Sequence, residues 1–194
     1  MKKIITILSV SLIFLSSFNK VSAKSENTKS SKDTTTIKTT HKNIVTFAPL
    51  GLINKLRFKY EYSINDNFST GMVASYYYGL FPGPQIEPFF RYYFGSEAPS
   101  GIFLQFKVVF AYQEYIFSDT PANNFYFISG GGGLSIGYQK ITGKNKNFPI
   151  EFSVGFKAVN PPTNNGMANV ATGVYLLTGP GSIFDGTFAV GFEF

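Results

Sequence analysis

From Asn43 onward, apolar and polar residues alternate with a period of two, the pattern of a strand whose two faces meet different surroundings. Leu56, Phe58, Tyr60, Tyr62 and Ile64 alternate with Arg57, Lys59, Glu61 and Ser63. Leu104, Phe106, Val108, Phe110 and Tyr112 alternate with Gln105, Lys107, Val109, Ala111 and Gln113. Ile150, Phe152, Val154 and Phe156 alternate with Glu151, Ser153, Gly155 and Lys157, and Phe188, Val190, Phe192 and Phe194 with Thr187, Ala189, Gly191 and Glu193. Broken by turn residues, the pattern predicts strands near 44–50, 53–64, 68–79, 86–95, 101–117, 125–140, 149–159 and 182–194. Eight is an even count, which brings both ends of an up-and-down barrel to the same side. Residues 171–177 are apolar enough to form an extra hairpin arm, so ten strands is the alternative.

Such alternation fits a soluble barrel or sandwich with its apolar face inside, or a membrane barrel with that face toward lipid. Composition favours the second. Aromatics make up 18% of the chain and charged residues only 14%, against about a quarter charged in a soluble domain. The polar face is rich in Gly, Ser and Ala, which suit a narrow lumen, where a water-facing surface carries more Lys and Glu. No run of ~20 apolar residues, as a spanning helix needs, occurs outside the N-terminus. The expected fold is therefore all-β, an eight-stranded antiparallel up-and-down transmembrane β-barrel. Its turns alternate: 65–67, 95–100 and 142–148 are compact and polar, whereas 79–85, 118–124 and 160–181 are longer or richer in Pro, Gly and Asn.

The formal charge of +6 suggests nucleic-acid binding until its distribution is read. The first 42 residues hold eight lysines against Glu26 and Asp33, leaving nine basic and nine acidic groups from Asn43 onward. A neutral domain offers no basic face for phosphates, so no nucleic-acid partner is expected. Lys2 and Lys3, the apolar stretch 4–18 and the small residues Ser22 and Ala23 read as a signal peptide over 1–23, cleaved after Ala23. Residues 24–42, rich in Ser, Thr and Lys, read as a flexible periplasmic tail, with a tether to a partner as the other reading. The barrel domain is 43–194.

The chain resembles the small outer-membrane β-barrel proteins of Gram-negative bacteria, especially the Bacteroidota type. The resemblance rests on the first hairpin with Lys59-Tyr60-Glu61-Tyr62-Ser63-Ile64, on Phe89-Phe90-Arg91-Tyr92-Tyr93-Phe94 before Gly95, and on the terminal strand 186–194. It is one of pattern and covers about 44–194. It implies an outer-membrane location, a surround of outer-membrane lipids, and a last strand recognised by the barrel assembly machinery. Phe188, Val190, Phe192 and Phe194 would form that assembly signal, with Ala189 standing where many such signals carry Gly.

Candidate chemistry is sparse. Cysteine is absent and the one histidine, His41, lies in the tail, so thiol, Ser–His and His–metal sites have no residues in the barrel. The loops hold too few acids, Asp119 and Asp185, for a calcium site. Gly130 to Gly133 lacks a phosphate-loop pattern and reads as curvature, or as room for a neighbouring aromatic. No enzyme activity, catalytic residue, metal or cofactor is expected. By parity Arg57, Lys59, Glu61, Arg91, Lys107, Glu151, Lys157 and Glu193 point inward, with Glu87 near one end, and should pair across the lumen. Tyr76, Tyr77, Tyr78, Tyr92, Tyr93, Tyr112 and Tyr115 should form interfacial girdles, the outer ones also suiting a sugar-stacking surface. The expected function is a structural or surface-interaction barrel with a largely closed lumen, possible envelope partners being unspecified. The alternatives are a narrow channel or transporter for small solutes or hydrophobic ligands, and a soluble lipocalin-like binder.

Overall fold

A computed structural model describes residues 43–95, 98–116, 124–143, 147–161, 169–177 and 179–194. The expectations for the leader, its cleavage after Ala23, the tail and Asp119 fall outside the described residues. Eight strands, β1 (Asn43–Phe47), β2 (Lys55–Ser63), β3 (Phe68–Tyr77), β4 (Gly83–Tyr93), β5 (Gly101–Tyr115), β6 (Phe125–Thr142), β7 (Phe148–Val159) and β8 (Phe184–Glu193), pair antiparallel in chain order. The barrel closes where β8 pairs with β1, from Ile44 opposite Glu193 to Phe47 opposite Val190.

The ladders are staggered. A row that leaves β7 at Ile150 crosses β8 at Val190 and enters β1 at Phe47. It then passes Phe58, Ala74, Ile86 and Phe110 to reach Gly130. The Gly130 carbonyl accepts from the amide of Asn160, one residue beyond the end of β7. The row thus returns to β7 well above where it left, the offset that tilts strands in a small barrel and sets its width.

Parity sorts the side chains into an inverted arrangement. Facing out are Phe58, Phe90, Phe106, Phe110, Ile136, Phe152 and Phe156, all exposed. Facing in are Arg57, Glu61, Gln85, Arg91, Gln105, Gln139 and Glu151, all buried. Consecutive residues must point opposite ways, which corrects the girdle of tyrosines. Tyr76, Tyr78 and Tyr112 are exposed, but their neighbours in the same runs, Tyr77, Tyr93 and Tyr115, are buried inside.

The inside is narrow enough to require glycine. A Cβ on Gly71 would sit 2.6 Å from Cζ of Phe89, and one on Gly137 would sit 2.7 Å from Cβ of Ser153 while striking the Phe103 ring. The glycine run does make room inside, though not for the expected aromatic. Gly131 and Gly133 face inward, and Gly133 makes room for Lys107 and Lys157 rather than for an aromatic ring. Gly130 and Gly132 look outward.

Apolar caps close both ends. Residues 171–177 form no hairpin arm; they belong to helix α1 (Asn169–Leu177). Helical spacing puts Ala171 and Tyr175 on one face, and that face packs with Phe81 and Tyr115 over the barrel mouth, backed by Phe125 and Phe127. The Tyr175 ring meets Phe81 edge-on at 5.1 Å, and its hydroxyl donates to Ser129 Oγ at 2.9 Å. Burial holds that hydroxyl above its ordinary pKa, keeping it a neutral donor. At the end where β1 begins and β8 stops, Tyr93, Ala98 and Phe103 form a second cap.

Tyr175→Ala should lower unfolding free energy by about 3–5 kcal/mol, the loss expected for a large buried ring. Tyr175→Phe should lose only about 1 kcal/mol, the worth of its hydrogen bond. Denaturant midpoints at unchanged slope check both.

Candidate functional site

The alternation of β2 places Arg57, Lys59 and Glu61 on one inward row, and each reaches partners on strands across the lumen. Two closed rings of alternating charge result. In the first, nearer the start of β1, Lys59 bridges Glu61 at 2.9 Å and also Glu151, while Arg91 bridges Glu61 at 2.8 Å and Glu151 at 2.6 Å. In the second, nearer α1, Arg57 bridges Glu87 at 3.1 Å and Asp185 at 3.4 Å, while Lys107 bridges Glu87 at 3.1 Å and also Asp185. Each ring holds two cations and two anions and is neutral.

Burying an ion removes hydration worth several kcal/mol, which pairing offsets only when the remaining donors and acceptors are also bonded. The first ring meets that condition. Glu61 accepts from Ser69 and Tyr93 hydroxyls, each at 2.6 Å, besides its two cations. Arg91 donates from Nε to Gln105 at 2.6 Å, and its guanidinium lies between the rings of Phe103 and Phe89, 3.9 and 4.9 Å from their centres. Gln139 accepts from Lys59 at 3.2 Å and donates to the Pro99 carbonyl at 2.6 Å. In the second ring Glu87 also accepts from Gln85. The void lined by Thr46, Arg57, Lys59, Arg91, Glu151 and Asp185 measures about 10 Å³, the lower limit for one water molecule.

Of the residues read from parity, Arg57, Lys59, Glu61, Arg91, Lys107 and Glu151 come together in the rings. Lys157 and Glu193 are buried in the lumen yet join none of the ion pairs among the described residues. Glu87 is a ring member rather than an end residue. Asp185, taken above for a loop acid, is a buried residue of β8 that closes the second ring. The signal was available: the inward row of Thr187, Ala189 and Glu193 runs back to Asp185. The inward glutamines carried no comparable signal, because their partners lie on strands distant in sequence. Phe192 and Phe194 at the terminal strand are exposed on the outer face.

No protein-family model, curated protein or solved structure matches the chain. The functional reading therefore rests on geometry.

Arg91→Met should destabilise the barrel by about 3–5 kcal/mol, because the two buried carboxylates Glu61 and Glu151 are left sharing Lys59 alone within the ring. Adding Glu151→Gln should recover part of that loss, giving a coupling energy of at least about 1 kcal/mol in a double-mutant cycle. Additive effects would show that the ring is not a unit.

Proposed function

We propose that the protein is an integral outer-membrane β-barrel of a Gram-negative bacterium, with a closed lumen and a structural or surface-interaction role. The observation that carries this reading is the inverted polarity: paired charges buried inside, and a continuous aromatic and aliphatic belt exposed outside. A soluble fold would leave that belt against water, far beyond the few hundred Å² of apolar patch that monomers ordinarily expose.

Aromatic pairs mark both rims of the belt. Phe68 lies 5.3 Å from Phe90 and 5.2 Å from Tyr92 at the end where β1 begins, while Tyr112 and Tyr126 stack at 5.7 Å toward the other end. Rings at those levels suit the interface between hydrocarbon and headgroup. The 15 residues of β5 and 18 of β6 exceed the ~9–11 that a tilted strand needs to cross hydrocarbon. Their paired ends, together with α1, would stand beyond the membrane as the displayed surface. The leader supports export, and the exposed Phe192 and Phe194 offer the terminal strand to the assembly machinery. The void of about 10 Å³ between the charged rings favours a plugged scaffold over a solute path.

In cell fractionation the protein should stay with the outer membrane and change gel mobility on boiling. In planar bilayers it should give no single-channel openings at any voltage. Recovery in buffer without detergent would overturn the location, and reproducible openings would overturn the closed lumen.

A further inference from the structure

The ladder between β8 and β1 is short. β1 has five residues and ends at Phe47, where the chain turns into a 3₁₀ helix, Pro49–Ile53. The pairing of β8 with β1 therefore begins only at Val190, although β8 starts at Phe184. The reciprocal bonds between Asn43 and Phe194 fix which residues of β8 turn their backbone toward β1. By that alternation Gly186 and Phe188 do so, and among the described residues they have no ladder partner on that side. Here the β-ladder gives way to the 3₁₀ helix, which packs beside β2 and β8, and the backbone of β8 is left as a lateral gap in the ladder.

The gap opens a cleft of about 560 Å³, within the ~300–1,000 Å³ of ordinary small-ligand sites. Its outer wall is apolar, with Leu50, Leu177, Phe184 and Phe188 among the lining residues. Its inner wall reaches the lumen at Lys55, Arg57 and Lys157. The second charged ring is already neutral, so the amines of Lys157 and Lys55 beside it are in excess of its acids. Lys55 is held by the Tyr77 hydroxyl at 3.1 Å, and Lys157 is buried without an ion-pair partner among the described residues. Unpaired backbone groups and two amines at the inner end of an apolar slot are complementary to a long apolar chain with an acidic head, whose proton the amines can take up.

We propose that this cleft is a lateral binding site for a single-chain anionic amphiphile of the fatty-acid class, its chain along Phe184 and Phe188 and its carboxylate at Lys55 and Lys157. The proposal rests on the membrane reading, because the slot opens from the face that would meet lipid. A protein segment is too large for the cleft, and a neutral lipid would leave the two amines without an acidic partner.

The test uses the barrel in phosphatidylcholine nanodiscs with a palmitic acid carrying a mid-chain diazirine, compared with the matching fatty alcohol, adducts being mapped by peptide mass spectrometry. The acid should label the 3₁₀ segment and Phe184–Phe188 about tenfold over the alcohol, the worth of one charge-assisted hydrogen bond. Lys55→Gln with Lys157→Gln should abolish that preference. Gly186→Trp should suppress labelling there by both probes; a Cβ at Gly186 meets nothing within 4 Å, so this variant keeps the fold. Labelling spread evenly around the belt, or equal labelling by acid and alcohol, overturns the site while leaving the membrane reading intact. A wild-type barrel that does not enter nanodiscs with its heat-dependent gel shift overturns the membrane reading, and the site with it.

Discussion

A charged side chain inside a narrow barrel has no water to turn to, and whatever it lacks in hydration must come from other side chains. In this protein the demand is met by two neutral rings that draw on β2, β4, β5, β7 and β8. Each ring member touches two opposite charges, so no single pair can be removed without exposing another. The rest of the inside is arranged to let those side chains meet. Gly71 and Gly137 give up their side chains so that Phe89 and Phe103 can flank Arg91. Gly133 does the same for Lys107 and Lys157.

Caps and rings support one another. Tyr93 belongs to the apolar cap at the end where β1 begins and also donates to Glu61, so the cap both shields the first ring and completes it. At the other end Tyr175 anchors α1 over the mouth through aromatic packing and one hydrogen bond to Ser129. Shielding raises the strength of the ion pairs beneath, since fewer waters screen them. Beside β1 the ladder stops short, and Lys55 and Lys157 line the cleft there. Shortening one strand thus keeps the barrel closed while leaving part of the β8 backbone without a ladder partner.

Most of the architecture was legible from alternation alone, because a period of two fixes which face each residue takes and a closed sheet uses that information on every strand. Arg57, Lys59, Glu61, Arg91, Lys107 and Glu151 could be assigned inward without knowing any partner. Pairing could not be read, since Lys59 meets Glu151 across the lumen and 92 positions along the chain. Asp185 lies on the same inward row as Thr187 and Ala189, but its ring partners Arg57 and Lys107 are on distant strands, and its sequence surroundings resemble a loop. Doublets such as Tyr92-Tyr93 were read as a girdle by residue type, when strand parity divides them. The helix over 171–177 is not legible in the sequence because the segment is short and mostly apolar, and short apolar runs do not distinguish helix from strand. The lateral gap was invisible for another reason: it depends on how far β1 extends relative to β8, a matter of register.

The central claim is that the aromatic face meets hydrocarbon while the charged face is sealed. Because the chain has no cysteine, a single introduced cysteine gives an unambiguous label. Nitroxides placed one at a time at Phe106, Val108 and Phe110 along β5, with the protein in lipid nanodiscs, report collisions with oxygen and with a water-soluble nickel chelate. The account predicts high oxygen and low nickel accessibility at all three positions, with the contrast deepest midway along the row. High nickel accessibility along that row would contradict it.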